Sequence, residues 1–242
     1  MKVLAIIPAA GLGTRMTALH AKKTAPSKQF TELAGTPILI HTLRRFAEVS
    51  EINEIYVALR KNELEGFTER LKSGSNEAIR KKIVLVEGGE HRQDSVASAL
   101  AAISADAEDI VLVHDAVRPF VGPEIIRDVI SAAQKYGAAI AGLPAVDTVK
   151  QVERTAEGAV ITATIPRERV VMAQTPQGFR YSVLKKAFDE AEADGFLGTD
   201  EASLVERSRH EVAVVMGSPR NIKITTPTDM DLAEFYLGHG LA

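Results

Sequence analysis

Pro8-Ala9-Ala10-Gly11-Leu12-Gly13-Thr14-Arg15 follows an apolar run, Val3–Ile7, and sets a turn of small residues ahead of a guanidinium. Small residues let backbone N–H groups approach a ligand closely, and the guanidinium suits phosphate oxygens, so the pattern points to phosphate binding more than to a plain tight turn. It is not a dinucleotide fingerprint, because Met16 stands where the third glycine belongs, and no Walker sequence is present. Lys28, in Pro26-Ser27-Lys28-Gln29-Phe30, supplies a second cation; alone it would read as a solvated surface charge, but with Arg15 it can share a triphosphate. Gly88-Gly89-Glu90-His91-Arg92-Gln93-Asp94-Ser95 comes after another apolar run and opens a helix. Its free N–H groups and the Ser95 hydroxyl can receive polar ligand atoms, while Asp94 or Ser95 also caps the helix.

Asp115, in Ile110-Val-Leu-Val113-His114-Asp115-Ala-Val-Arg118-Pro119, stands at the carboxyl end of a run that predicts a central strand. A carboxylate there suits Mg²⁺, which usually takes the rest of its ligands from water and substrate phosphates, and Arg118 can hold a second anion. Two other patterns are set aside. His210-Glu211 begins like a zinc motif, yet Val214 occupies the position of the second histidine. Asp229-Met230-Asp231 imitates a metal-binding pair but opens a helix after Thr226-Pro227-Thr228, where acidic residues favour the dipole. The chain has no cysteine, which removes disulfides, thiolate nucleophiles and thiolate metal sites and fits a reducing, cytoplasmic setting. No Ser/His/Asp arrangement is evident, and covalent catalysis is not expected.

The elements that must position these groups follow from periodicity. Val3–Ile7, Ile55–Leu59, Ile83–Val86, Ile110–Val113 and Ala138–Leu143 predict buried strands, alternating with helices over Ile38–Val49, Glu63–Leu71, Ser95–Ile103 and Glu124–Tyr136. That alternation predicts a doubly wound, mostly parallel α/β sheet covered on both faces, with ligands at the carboxyl ends of its strands. Val146–Val152 and Ala159–Ile165 predict a β-hairpin arm with no core partner of its own, which suits packing on the parent domain or on a second subunit, an interface more than a solvated ornament. Beyond it, helices are expected near Ser182–Ala193 and Asp200–Arg207, strands near Val212–Met216 and Ile222–Ile224, and a closing helix over Asp229–Leu237. The 242 residues are read as a single domain, 1–242, with the arm at about 146–166. With 29 Lys+Arg against 32 Asp+Glu there is no global positive field, so neither nucleic acid nor an anionic membrane is expected as a partner. The opening apolar run, cut short by Pro8, reads as a strand and not a signal peptide, and no stretch approaches the roughly 20 apolar residues of a transmembrane helix.

Taken together, Pro8-Ala-Ala-Gly-x-Gly-x-Arg-Met16, Lys28-Gln-Phe30, Gly35-x-Pro-Ile-Leu-x-His41-Thr, Gly88-Gly89 with Arg92-x-x-Ser95-Val, His114-Asp-Ala-x-Arg-Pro119, Asp147-Thr-Val-Lys150, Gln174-Thr-Pro-Gln177, Thr199-Asp-Glu-Ala202 and Asn221-Ile-Lys-Ile-Thr225 resemble the 2-C-methyl-D-erythritol 4-phosphate cytidylyltransferase family over nearly the whole chain. The resemblance implies a Rossmann-like nucleotidyltransferase fold and a reaction of the non-mevalonate isoprenoid pathway. A phosphate oxygen of methylerythritol 4-phosphate attacks the α-phosphorus of CTP, and pyrophosphate leaves. By matching position, Arg15 and Lys28 are implied to stabilise the transition state, and Arg167 and Lys223 to position methylerythritol phosphate. Ala9, Ala10, Gly11, Gly89 and Ser95 are implied to hold the cytidine nucleotide, Asp115 to serve Mg²⁺, and Asp115, Arg118, Thr148, Thr175 and Thr199 to line the substrate site. The arm is implied to make a homodimer, carrying Thr148 and Arg167 to the partner's site. The chain departs from the family pattern in a longer Arg15–Lys28 segment and in Ser27, inserted in what is normally Pro-Lys-Gln. A ribitol 5-phosphate cytidylyltransferase, or a non-catalytic nucleotide-binding protein of the same fold, are the alternatives.

Overall fold

The computed structural model describes residues 1–11, 27–75 and 77–241. Its strands are β1 (Val3–Pro8), β2 (Glu32–Leu33), β3 (Thr36–Pro37), β4 (Glu54–Leu59), β5 (Ile83–Glu87), β6 (Ile110–Val113), β7 (Ala138–Pro144), β8 (Val149–Thr155), β9 (Gly158–Ile165), β10 (Val171–Arg180) and β11 (Ala213–Met216). Its helices are α1 (Ile38–Ala47), α2 (Leu64–Gly74), α3 (Glu77–Lys82), α4 (Arg92–Ala102), α5 (Pro123–Tyr136), α6 (Tyr181–Ala193), α7 (Glu201–Arg207) and α8 (Pro227–Gly238). The five expected strands before residue 145 are present to within one residue at each end, and the four helices between them to within three.

Seven strands form the main sheet in the order β11-β7-β10-β6-β1-β4-β5. The pairs β1/β4, β4/β5, β1/β6 and β7/β11 are parallel, and β10 runs antiparallel to both its neighbours. Alternation along β1 explains the two-sided burial. Val3, Ala5 and Ile7 join a core with residues of α1, α2 and α5, whereas Leu4 and Ile6 join a second core with residues of α4, α6 and α7. A strand wholly apolar on both faces can sit only in the middle of such a sandwich. A third, smaller cluster, with Leu33, Ile38, Phe120, Ile224 and Ala233, seats α8 against the same end of the sheet as the candidate groups.

Two sequence expectations need correction. Ile222–Ile224 is not a strand: the Ile224 N–H reaches Val117 O at 2.9 Å and its side chain fills the third cluster, but no ladder forms there. Strand β10 is absent from the expected elements. Pro176 lacks a donor, Gly178 weakens strand propensity, and the register with β7 shifts between Ala173 and Gln177, so the strand does not carry an ordinary apolar alternation. Gly178 is required where it lies, because a Cβ there would stand 2.7 Å from Val129 Cγ1 and 3.0 Å from Leu112 Cδ2.

The arm is the ribbon β8/β9, paired from Val149 with Ile165 to Thr155 with Gly158. Nearly every residue of it is exposed, including Val152, Val160 and Ile161.

The packing around β10 makes a direct test. Gly178→Ala is expected to destabilise the fold by about 1–3 kcal/mol through overpacking against Val129 and Leu112, read as a lower midpoint in urea unfolding with an unchanged slope.

Candidate functional site

From β1 the chain steps outward to β4 and β5, then returns to lay β6 on the other side of β1. Strand order reverses at that point, which opens a crevice beyond the carboxyl ends of β1 and β6. A cavity of about 150 Å³ occupies it, lined by Pro8, Ala9, Ala10 and Gly11 after β1, by Lys28 and Gln29, by Arg92 and Ser95 of α4, by Asp115, Ala116 and Val117 after β6, and by Lys223. A larger cavity of about 620 Å³ lies between α4 and α6, but it holds none of the site cations and no residue from the ends of β1 or β6. The smaller one is therefore the candidate site.

Asp115 is its electrostatic centre, 7% exposed. Its Oδ1 accepts from Arg92 Nε at 3.3 Å, and its Oδ2 from Arg118 Nε at 3.1 Å and Lys223 Nζ at 2.9 Å. Burial alone would push the carboxyl's pKa up; Arg92, Lys223 and Arg118 outweigh it and hold the group well below the usual carboxylate range. Arg92 is shared with a second buried carboxylate. Its Nη1 donates to both oxygens of Glu201, at 2.6 and 2.8 Å. Burial works against the charge on Arg92, and Glu201 and Asp115 overcome it, raising the guanidinium's pKa further; burial in turn shifts Glu201 upward against the pull of Arg92.

Backbone and side-chain bonds from β10 brace this network. The Thr175 hydroxyl accepts the Asp115 N–H at 3.0 Å. Gln174 donates to Ser218 O, and Asn221 Nδ2 donates to Thr175 O at 2.8 Å, which docks the segment that carries Lys223. Arg118 Nη1 closes the same connection on Asn221 O at 2.7 Å. Gln177 donates to Asp200 Oδ2 and accepts the Ala202 N–H, which sets the first turn of α7 and thereby Glu201. His114, wholly buried before Asp115, uses Nε2 on Arg118 O at 3.1 Å, while Nδ1 has no partner among the described residues.

At the other wall, Gly88 is hemmed in: a Cβ would lie 2.7 Å from Ala10 Cβ and 2.9 Å from Ser95 Oγ. A side chain there would push the small-residue turn away from the first turn of α4. The helix itself starts at the cap His91, whose N–H donates to Asp94 Oδ2 at 2.8 Å, so Asp94 acts as the third residue of a capping box and not as the cap.

Of the residues expected from sequence, Ala9, Ala10, Gly11, Lys28, Ser95, Asp115 and Lys223 meet around the cavity. Gly89 lies just outside the lining, beside Asp94. Arg118 and Thr175 do not line it either; they are braces of Asp115. Thr148, Arg167 and Thr199 are exposed and are not among the residues lining it, and the Arg167 guanidinium bonds Val146 O within the base of the arm. Arg15 lies outside the described residues. Arg92 and Glu201 belong to motifs that the sequence displays, yet sequence reasoning misses their roles. Glu201 carries a readable signal: it shares the helix face of Leu204 and Val205 at i, i+3 and i+4, which makes it a buried carboxylate in need of a cation. His210 bonds Tyr136 O, and Asp229, the third residue of the capping box whose cap is Thr226, accepts the Thr225 and Thr226 N–H groups on Oδ2, in keeping with setting both motifs aside.

No cluster of three or more His, Asp or Glu side chains able to hold a metal occurs among the described residues, nor a helix long and apolar enough to cross a membrane. Residues 3–239 match the family model described as IspD: 2-C-methyl-D-erythritol 4-phosphate cytidylyltransferase. A protein of that description from Acidobacterium capsulatum is 60% identical over 238 residues, 98% of each chain. The crystal structure of 4-diphosphocytidyl-2C-methyl-D-erythritol synthase from Anaerococcus prevotii superposes with a TM-score of 0.80 at 31% identity, covering 98% of both chains. The 2-C-methyl-D-erythritol 4-phosphate cytidylyltransferase of Francisella tularensis does so with a TM-score of 0.79 at 35% identity, covering 97% of this chain and 99% of that one.

Burial beneath this site carries a pH dependence. Desolvation lowers the His114 pKa to about 4 from 6.5, so the unfolded chain binds a proton between those values that the folded chain refuses. Stability from this group is full above pH 6.5 and is lost as pH falls towards 4. In denaturant unfolding, the stability difference between the wild type and His114→Asn is expected to shrink by about 2 kcal/mol from pH 7 to pH 4.5.

Proposed function

Because the chain belongs to the 2-C-methyl-D-erythritol 4-phosphate cytidylyltransferase family, we propose that the cavity beneath Ala9–Gly11 binds CTP and sets its α-phosphorus in line with the phosphate of methylerythritol 4-phosphate. One P–O bond forms to the incoming phosphate oxygen as the bond to pyrophosphate breaks, giving CDP-methylerythritol. The single observation that carries this reading is the convergence of Lys28, Arg92 and Lys223 with one buried carboxylate at the switch point of the sheet.

The attacking phosphate is already ionised, so the site needs no protein nucleophile and no general base. Its work is to hold two anions together in line and to neutralise charge on the phosphoryl group and the leaving pyrophosphate. Lys28 and Lys223 supply charge from the cavity wall, and Arg15 is assigned the same part by its place in the motif. Ala9, Ala10, Gly11, Gly89 and Ser95 are assigned to the cytidine nucleotide. Lys223 is anchored on Asp115 at 2.9 Å, so its ammonium meets the substrate without first being ordered.

Asp115 is the one carboxylate among the described residues lining the cavity, and its Oδ1 carries a single long bond, to Arg92. That donor set fits Mg²⁺ drawn mostly from phosphate oxygens and water and held to the chain by Asp115. When bound, the ion supplies further neutralisation of phosphate charge.

The arm is assigned to a homodimer. Val152, Val160 and Ile161 on the ribbon, with Val171, Met172, Val214 and Met216 nearby in sequence or on the edge strand, leave apolar surface that a second copy would cover. Thr148 and Arg167, which are not among the residues lining this chain's own cavity, would then serve the partner's, with Arg118 and Thr175 acting on substrate through Asp115 and Thr199 lining the rim. A single nucleotidyltransferase domain over 1–242, working in the cytoplasm on water-soluble phosphates, completes the assignment.

Pyrophosphate release is expected with CTP and methylerythritol 4-phosphate in the presence of Mg²⁺, and not with ATP, GTP or UTP or with ribitol 5-phosphate. Release with ribitol phosphate alone would move the substrate, and no release with any pair would leave a non-catalytic binding protein. In the same assay Lys223→Ala should lower turnover roughly 100-fold while circular dichroism stays unchanged. Sedimentation at micromolar concentration should give a dimer, and a monomer with full activity would contradict the exchange of arms.

A further inference from the structure

The turn that leaves β1 is held from behind. Ala9 N–H donates to Ala58 O at 2.8 Å, which keeps the chain beside β4 for one residue beyond the strand. Gln29, 4% exposed, donates from Nε2 to Ala9 O at 2.5 Å. Arg60, the residue after β4, donates from Nε to Ala10 O at 2.8 Å. Because a trans peptide points its N–H opposite to its C=O, tying Ala9 O from one side turns the Ala10 N–H to the other, and tying Ala10 O does the same for Gly11. Neither amide has an acceptor among the described residues, and both residues line the cavity. The Arg60 bond is charge-assisted and polarises the peptide it holds, which makes the Gly11 N–H a stronger donor.

We propose that Gln29 and Arg60 are positioning residues for the nucleotide: they fix the carbonyls of Ala9 and Ala10 so that the N–H groups of Ala10 and Gly11 are aimed in advance at an anionic oxygen of CTP. The inference rests on the CTP-binding reading above. Neither side chain need touch the reacting atoms. Among the described residues Arg60 Nη2 is buried without a partner and the guanidinium makes no ion pair, so its bond to the turn is the contact that holds it there.

The test compares Gln29→Met, Arg60→Met and Arg60→Lys with the wild type, by direct titration of CTP and by steady-state kinetics for each substrate. Both Met variants are expected to raise the Kd and KM for CTP about tenfold while the KM for methylerythritol 4-phosphate stays within about twofold, and Arg60→Lys, which can still donate to Ala10 O, should recover part of the loss. Unchanged CTP affinity, or an equal loss for both substrates as general loosening would give, overturns the proposal. Should Gln29→Met fail to fold, the two Arg60 variants decide it alone, because Arg60 is not in the core. A wild type that neither binds CTP nor releases pyrophosphate would overturn the functional reading as well, whereas an active wild type with indistinguishable variants overturns only this one.

Discussion

A carboxylate taken out of water must be surrounded by positive charge or give up its own, and Asp115 is kept ionised by three cations drawn from separate parts of the chain. Arg92 comes from the start of α4, Arg118 from the loop after β6, and Lys223 from the segment before α8. Each is a like charge to the others, and the carboxylate lets them stand together, with Arg92 and Lys223 lining the cavity and Arg118 behind it. Removing it would leave three cations crowded against the end of the sheet with their mutual repulsion uncompensated. The same anion that stabilises the fold thus keeps the site loaded with positive charge before any substrate arrives.

That centre explains the least conventional part of the sheet. The antiparallel β10, inserted between β6 and β7, carries Gln174, Thr175 and Gln177 on a stretch whose pairing with β7 is interrupted. Interrupted pairing frees side-chain and backbone groups for other work, and here they tie down the Asp115 amide, the approach to Lys223 and the first turn of α7. The Gln-Thr-Pro-Gln stretch therefore contributes to the site from one layer behind it. On the opposite wall a glycine contributes by being small. Gly88 leaves vacant the space on which Ala10 and Ser95 both close, so the turn after β1 and the start of α4 can both approach it.

Much of this is legible in the residues. Wholly apolar runs followed by Gly, Ser and Asp locate the parallel strands and the end of the sheet where chemistry collects, because burial on both faces imposes an unmistakable pattern. The small-residue turn and Asp115 are readable for the same reason, since they follow such runs. What stays hidden depends on contacts between remote segments. Pro176 and Gly178 disguise β10, which only the neighbouring strands make necessary. Ile222 and Ile224 look like a strand but are apolar because they plug a cluster under α8. Thr175, expected to line the substrate site, also holds the Asp115 amide, and Arg92 connects both buried carboxylates, roles that their motifs alone do not disclose.

The arm departs from the sheet and returns to it at one paired position, Pro144 opposite Val171, between strands that are already neighbours. In terms of chain connectivity it is the long loop of a hairpin, and cutting it short would not change the order or direction of a single strand. The sheet and its buried charge therefore depend on contacts among the sheet and its helices and on none made by the ribbon. Its sequence is free of the packing demands of the core, because nearly every residue of it is exposed, while the residues that fix Asp115 are bound by the geometry of the interior. One chain so carries two regions under separate constraints, an interior that fixes the charged cavity and an exposed appendage that the interior does not constrain.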